Sequence, residues 1–148
     1  MSQSILVPAT LIALGGAAIA VQAPLNAALS RSLGSPLAAA AVSFAVGFVL
    51  LLALALFSAG SGPVARLAGV PLWQLTGGFL GAFYVWSVIS GVGTLGVVTA
   101  VAALILGQLI AALILDQIGA FGLAVQAISL RRVVAVMLVM AGLILSRG

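Results

Sequence analysis

The sequence predicts an all-α membrane protein with five transmembrane helices. Hydrophobic residues make up 65% of its 148 residues, and only 4% of the residues are charged. A soluble domain, in contrast, draws about a quarter of its residues from Asp, Glu, Lys and Arg. The stretches between the charges are long enough for helices of about 17–25 residues, which is the length that crosses a bilayer core. We therefore expect a single transmembrane domain over residues 1–148.

The first two predicted spans cover about residues 5–29 and 36–58. We do not interpret the first as a secretory signal, because Met1-Ser2-Gln3-Ser4 contains no basic residue and further apolar segments follow. A polar turn over residues 30–34 is expected to end this span. Ser35-Pro36 then supplies an N-cap and a proline at the first position of the second helix.

Three further spans are predicted in the second half of the chain, over about residues 71–90, 94–115 and 130–146. The Gly- and Pro-containing segment 59–63 ends the second span, and Gly91-Val92-Gly93 predicts a tight turn between the third and fourth. The apolar stretch 118–130 is about half as long as a span needs. We expect it to form a surface or re-entrant segment.

Composition argues against catalysis, metal binding and nucleic-acid binding. The chain has no His, no Cys and one acidic residue, Asp116. General bases, paired carboxylates and metal-ligand clusters therefore cannot be assembled within one protomer. The net charge is +4, but the five arginines are scattered rather than clustered as phosphate binding requires. We predict no enzyme activity, no cofactor and no nucleic-acid partner, and we assign the arginines to membrane anchoring and topology.

Polar side chains inside the spans are the candidate binding residues, because in a bilayer each needs a partner, a cavity or a ligand. Gln22 and Asn26 lie one helical turn apart on one face, and Pro24 between them lacks a backbone donor. Two such amides can line a midplane site, whereas hydrogen bonding between helices is the alternative interpretation. Gln108 in the fourth span is open to the same two interpretations, and Ser43 and Tyr84 complete the candidate set.

Two other groups of residues carry structural predictions. Asp116 is expected to form an ion pair or helix-end anchor with Arg131 or Arg132, with proton or substrate coupling as the alternative. Small residues recur at four-residue spacing in three spans and are expected to pack helices closely. The glycines assigned to this packing role are Gly47, Gly77, Gly81 and Gly107.

Six segments, taken in order, resemble those of a known family. They begin at Ala20 (AVQAPLNA), Gly34 (GSPL), Val42 (VSFAVG), Trp73 (WQLTGGFLGA), Gly107 (GQL) and Leu115 (LDQIG). Together they resemble the small, five-helix YdcZ-like family of the drug/metabolite transporter superfamily. The resemblance covers almost the whole chain, although Gln117 stands where the family usually has an aromatic residue or His, and Ala135 where a glycine is customary.

The resemblance implies a multi-pass inner-membrane protein equivalent to one half of a ten-helix transporter with inverted repeats. It further implies an exporter that works by alternating access as an antiparallel homodimer of dual topology. Four-helix relatives that expel cations use a membrane-embedded glutamate, which this chain lacks. We therefore expect the solute to be a neutral, zwitterionic or amphipathic metabolite or drug. The alternatives are a non-transporting membrane subunit that stabilises or regulates a partner complex, and a lipid-handling protein.

Overall fold

The computed structural model describes residues 3–146, and all regular secondary structure in that range is helical. Short 3₁₀ turns at Arg66–Gly69, Leu72–Leu75 and Ala120–Gly122 separate some of the helices. Met1, Ser2, Arg147 and Gly148 lie outside the described residues. The helices are α1 (Gln3–Leu33), α2 (Pro36–Ala59), α3 (Gly62–Ala65), α4 (Thr76–Leu95), α5 (Val97–Ile118) and α6 (Leu130–Leu145).

Four helical segments in the described range are long and apolar enough to cross a membrane: Leu6–Leu33, Pro36–Ala59, Leu72–Leu95 and Val97–Ile118. The all-helical prediction is therefore confirmed. α6 has 16 residues, which extend about 24 Å at 1.5 Å per residue, short of a hydrocarbon core of about 30 Å. It does not reach back into the preceding apolar stretch, because Ser129 caps its first turn. The fifth span stays a prediction.

The first helix boundary shows how capping residues set the end of one span and the start of the next. α1 continues past the predicted end at residue 29, and Gly34 stops it by adopting a φ of +69°. The predicted N-cap of α2 is confirmed, since the Ser35 hydroxyl accepts a hydrogen bond of 3.2 Å from the Ala38 N–H.

The predicted turn at Gly91-Val92-Gly93 is wrong. α4 runs through these residues to Leu95, and the break lies at Gly96, where φ is +77°. Glycine within a helix costs only about 1 kcal/mol relative to alanine, and burial of Val92 on α4 favours the helical conformation. Only Gly96 adopts a positive φ at this junction, a conformation that other residues rarely take.

The chain divides into two compact units, residues 1–93 and 94–148. In the first unit, α1 and α2 form a helical hairpin across a two-residue connection. α4 contributes to the core of this unit, and α5 and α6 pack together in the second unit. The buried core of the first unit consists of Ala39, Ala40, Val85 and Ile89, with Leu29 and Tyr84 packed against it.

The four glycines predicted to pack helices differ in their surroundings. At Gly81 on α4, a Cβ atom would lie 3.5 Å from the Phe44 ring of α2, so this glycine lies at a helix contact. At Gly47, Gly77 and Gly107, a Cβ atom would meet no described atom within 4 Å. The packing role of these three stays a prediction, and it requires a contact other than those of the described residues.

Candidate functional site

The first unit places both α1 amides beside α4. Gln22 and Asn26 lie on the same side of α1 as Ala23, and together with Tyr84 they border a narrow cleft. The cleft leaves about 10 Å³ for the centre of a water molecule, which is close to the minimum needed to hold one water. Its apolar lining consists of Ile19, Ala23, Val85, Val88 and Ile89.

Asn26 is a buried polar side chain in the lining of this cleft. It is only 7% exposed, and its amide has no hydrogen-bond partner among residues 3–146. A fully enclosed amide without a partner would cost roughly 1–3 kcal/mol. No side-chain nitrogen or oxygen in the described range is both fully enclosed and unpaired, so the Asn26 amide retains access to the cleft. A group entering the cleft can therefore supply the missing hydrogen bonds.

Gln22 connects this cleft to a second, larger space between α1 and α2. Its Nε2 donates a hydrogen bond of 3.4 Å to the Ser43 Oγ, and both side chains are partly buried. The larger space, called here the α1–α2 groove, has a volume of about 340 Å³. The residues that line the groove are Gln22, Ser43, Phe44, Gly47, Phe48 and Leu51.

Four of the five predicted binding residues therefore lie in the first unit and border two spaces that share Gln22. Asn26 and Tyr84 border the cleft, and Ser43 borders the groove. Gln108 lies on α5 in the second unit, where its side chain is exposed. The sequence pattern indicated the pair at positions 22 and 26, but it did not indicate the groove that joins Gln22 to Ser43.

The single acid of the chain is part of a polar clamp at the end of α5. The Arg132 guanidinium forms an ion pair with the Asp116 carboxylate and donates a second hydrogen bond, 3.2 Å, to the Gln126 carbonyl. The Gln126 N–H in turn donates to the Asp116 backbone carbonyl at 2.8 Å. Of the two arginines that sequence offered as partners, Arg132 makes the contact, whereas Arg131 is exposed.

The clamp folds the apolar stretch before α6 back onto α5. Gln117 Oε1 accepts a hydrogen bond of 2.8 Å from the Ile128 N–H. Gly119 ends α5 in the left-handed conformation with a φ of +60°. Most of the loop is neither helix nor strand, and its apolar side chains, such as Phe121 and Val125, are exposed. The predicted surface or re-entrant segment thus has a defined, hydrogen-bonded backbone.

One buried polar contact in the second unit was not predicted as such. Thr99, at the start of α5, is only 5% exposed, and its hydroxyl donates to the Ser146 carbonyl at 3.2 Å. The Ser146 hydroxyl also lies 3.2 Å from the Thr99 oxygen. The partners are 47 residues apart, so no local spacing in the sequence could indicate the pair.

Comparisons with known proteins assign the chain a family. The model of the family described as "Putative inner membrane exporter, YdcZ" matches residues 7–145. The inner membrane protein YdcZ of Escherichia coli (strain K12) is 32% identical over 129 residues, which cover 86% of this chain and 85% of that protein. No solved structure matches the chain.

Proposed function

We propose that this chain, which belongs to the YdcZ family of inner membrane proteins, exports a small solute that binds to the amides of α1. The family indicates the class, a multi-pass inner-membrane exporter. The observation that supports the location of the site is the buried, unpaired amide of Asn26 in a cleft that Gln22 also borders. A polar side chain within a membrane span needs a partner, a cavity or a ligand, so an amide that borders a cleft without a protein partner favours a binding role.

The chemistry of the site favours a neutral, zwitterionic or amphipathic solute. Carboxamides offer both donors and acceptors without a formal charge. Neither the cleft nor the α1–α2 groove is lined by a carboxylate or a basic side chain. The one acid, Asp116, is paired with Arg132 at the end of α5. A permanent cation would therefore find no counter-charge at this site, and moving it into a low-dielectric region would be costly.

We further propose that two copies pair antiparallel and work by alternating access, as a ten-helix transporter with inverted repeats of the drug/metabolite transporter superfamily would. In such transporters the site forms between oppositely oriented repeats. The cleft beside Asn26 has room for little more than one water in a single protomer, which is consistent with a solute site completed by a second copy. Gln108 remains a candidate solute contact that its own substitution can test.

The proposed topology requires α6 to act as a fifth span. A helix that is about 6 Å shorter than the hydrocarbon core can be accommodated by local thinning of the bilayer or by snorkelling of flanking basic residues. Five spans place Arg66, Arg131 and Arg132 on one side and Arg31 and Arg147 on the other. A bias of three against two is too small to fix one orientation, so both orientations are expected to insert.

A thermal-shift screen of the purified protein against metabolites and toxic compounds tests the proposed export site. A ligand that binds only the folded state at 100 times its Kd stabilises that state by about 2.7 kcal/mol. We expect such a ligand to be exported from cells and to lose its stabilising effect in Asn26→Leu and Gln22→Met. The matched control is Thr10→Val, because among the described residues the Thr10 hydroxyl on the same helix bonds only to the Leu6 carbonyl.

The opposite pattern would indicate that the amides are structural. Variants that lose stability, while the remaining folded protein still binds and exports the solute, would support hydrogen bonding between helices. If binding is unchanged in both Asn26→Leu and Gln22→Met, the proposed site is wrong.

A further inference from the structure

We infer that the solute is an uncharged amphipathic molecule whose polar head binds at Gln22 and Ser43 and whose apolar body lies in the α1–α2 groove. This inference rests on the proposed function and names the substrate class for the same site. It is carried by the groove itself, in which hydrogen-bonding groups occupy one end and apolar side chains occupy the rest.

The groove has the dimensions of a small-molecule site. Its volume of about 340 Å³ is within the usual range of about 300–1,000 Å³ for ligand pockets. Along α2, the lining residues Ser43, Gly47 and Leu51 recur at four-residue intervals and therefore share one face. Eight residues of helix extend about 12 Å. A bound molecule can thus extend over two helical turns from a polar end to an apolar end.

The polar end retains unused hydrogen-bonding capacity. Gln22 donates one hydrogen bond to Ser43, but Gln22 Oε1, the second Gln22 N–H and the Ser43 O–H have no partner among residues 3–146. A head group with one donor and one acceptor, such as an amide or a hydroxyl, can pair with these groups of Gln22 and Ser43. Asn26, one turn further along α1, borders the cleft and not the groove.

The apolar end offers surface but no charge. Phe44, Phe48 and Leu51 line it, and Gly47 leaves its middle open because a Cβ there would meet no atom within 4 Å. Burial of apolar area contributes roughly 25 cal/mol per Å². A solute with an apolar body gains this term, whereas a uniformly polar solute would have to desolvate against aromatic rings.

The unused hydrogen-bonding groups favour an amphipathic solute over bilayer lipid as the occupant. An acyl chain in the groove would cover Phe44 and Phe48 but would leave the remaining hydrogen-bonding groups of Gln22 and Ser43 unused. An uncharged head group on the end of an apolar body satisfies both requirements at once. The groove therefore selects for the combination of the two features rather than for either alone.

Photolabelling with an octanamide that carries a diazirine near the end of its chain tests this inference. The full-length protein is reconstituted in lipid nanodiscs, illuminated with the probe, and mapped by mass spectrometry. We expect labelling within residues 44–51. Gly47→Leu should lower it at least tenfold by filling the groove, and Gln22→Met should lower it severalfold by removing the amide.

The matched control is Gly142→Leu, which adds the same side chain at a helical glycine with equally open surroundings on α6. This control variant should be labelled to the same extent as the unsubstituted protein. Thermal unfolding of each variant establishes that the variant is folded. An octylammonium diazirine should label residues 44–51 weakly, because the groove contains no counter-charge. A phospholipid with a diazirine on its acyl chain tests whether bilayer lipid occupies the groove instead.

Three outcomes would overturn the inference: equal labelling of Gly47→Leu and Gly142→Leu, preferential labelling by octylammonium, or phospholipid labelling of the groove that excess octanamide does not displace. Its failure is distinct from failure of the export proposal. If screened solutes bind and lose binding in Asn26→Leu while octanamide does not label the groove, the substrate class is wrong and the export site stands. If octanamide labels the groove but no solute is exported, the export proposal is wrong and the groove still binds an uncharged amphipathic molecule.

Discussion

The clamp at the end of α5 offers a quantitative test of whether the only acid in this chain is structural or takes part in coupling. We predict that Asp116→Asn lowers stability by about 1 kcal/mol and that Arg132→Met lowers it by roughly 2–3 kcal/mol. Export of the solute, and the pH dependence of export, should be unchanged in Asp116→Asn. These expectations follow from the contacts and partial burial of the pair.

The magnitudes are worked from the exposure of the two side chains, which is 29% for Arg132 and 26% for Asp116. Fully exposed pairs contribute about 0.2–1 kcal/mol, and breaking a fully buried pair costs about 3–5 kcal/mol. Asparagine retains one oxygen that can accept from Arg132, so its cost lies near the lower range. Methionine at position 132 removes the guanidinium contacts to both Asp116 and the Gln126 carbonyl, so its cost lies between the ranges.

The assay is equilibrium unfolding in mixed detergent micelles, combined with export from everted vesicles over a range of pH. Arg131→Met is the matched control, since Arg131 adjoins Arg132 but is exposed and does not form the ion pair. It should change stability by less than about 0.5 kcal/mol. Loss of export in Asp116→Asn at unaltered stability would refute this reasoning, and Asp116 would then be a coupling residue.

The remaining predictions concern the loop after α5 and the topology of the chain. Gly119→Ala should lower the free energy of unfolding by roughly 2–3 kcal/mol, because φ is +60° and a Cβ would lie 2.7 Å from a valine side chain. Gly142 lies in a helix with open surroundings, so Gly142→Ala should stabilise the protein by up to about 1 kcal/mol in the same unfolding assay. Single cysteines at Ser2 and Gly148 in a chain with no natural cysteine should each be labelled from both sides of the membrane. One orientation for every molecule, or only parallel cross-linked pairs, would exclude the antiparallel dimer.

Local signals in the sequence predicted the features that depend on neighbouring residues. The N-cap at Ser35 depends on the residues that follow it, and the shared face of Gln22 and Asn26 follows from helical periodicity. The break between α4 and α5 was misplaced because both sites contain glycine, and glycine is compatible with helix as well as with turn. In the structure, Gly96 adopts the positive φ, and Val92 is buried within α4.

Contacts between distant residues were beyond local inference. The hydrogen bond between Thr99 and Ser146 joins residues far apart in the chain, and neither residue has a distinctive neighbour in sequence. The α1–α2 groove likewise depends on Gln22 and Ser43 meeting across a helical hairpin. A hairpin can be predicted from a short connection, but the rotation of each helix about its axis is determined by side-chain packing.

The ionic side chains and the Asn26 amide differ in whether they are paired within the protomer, and the difference bears on function. The ionic groups Asp116 and Arg132 lie at helix ends and are paired, so their retention is explained by structure. Asn26 lies within a span, is buried, and has no partner in the described protomer, so its retention is not explained by the stability of that protomer. Replacing it with leucine removes an unpaired amide and should leave the folded state at least as stable. An amide that the protomer leaves without a partner, where a solute can reach it, is what a binding role predicts. Asn26→Leu therefore separates the two explanations most directly: stability retained or gained together with binding lost favours a role in binding the solute or a second copy of the chain, whereas stability lost with binding retained favours a structural role.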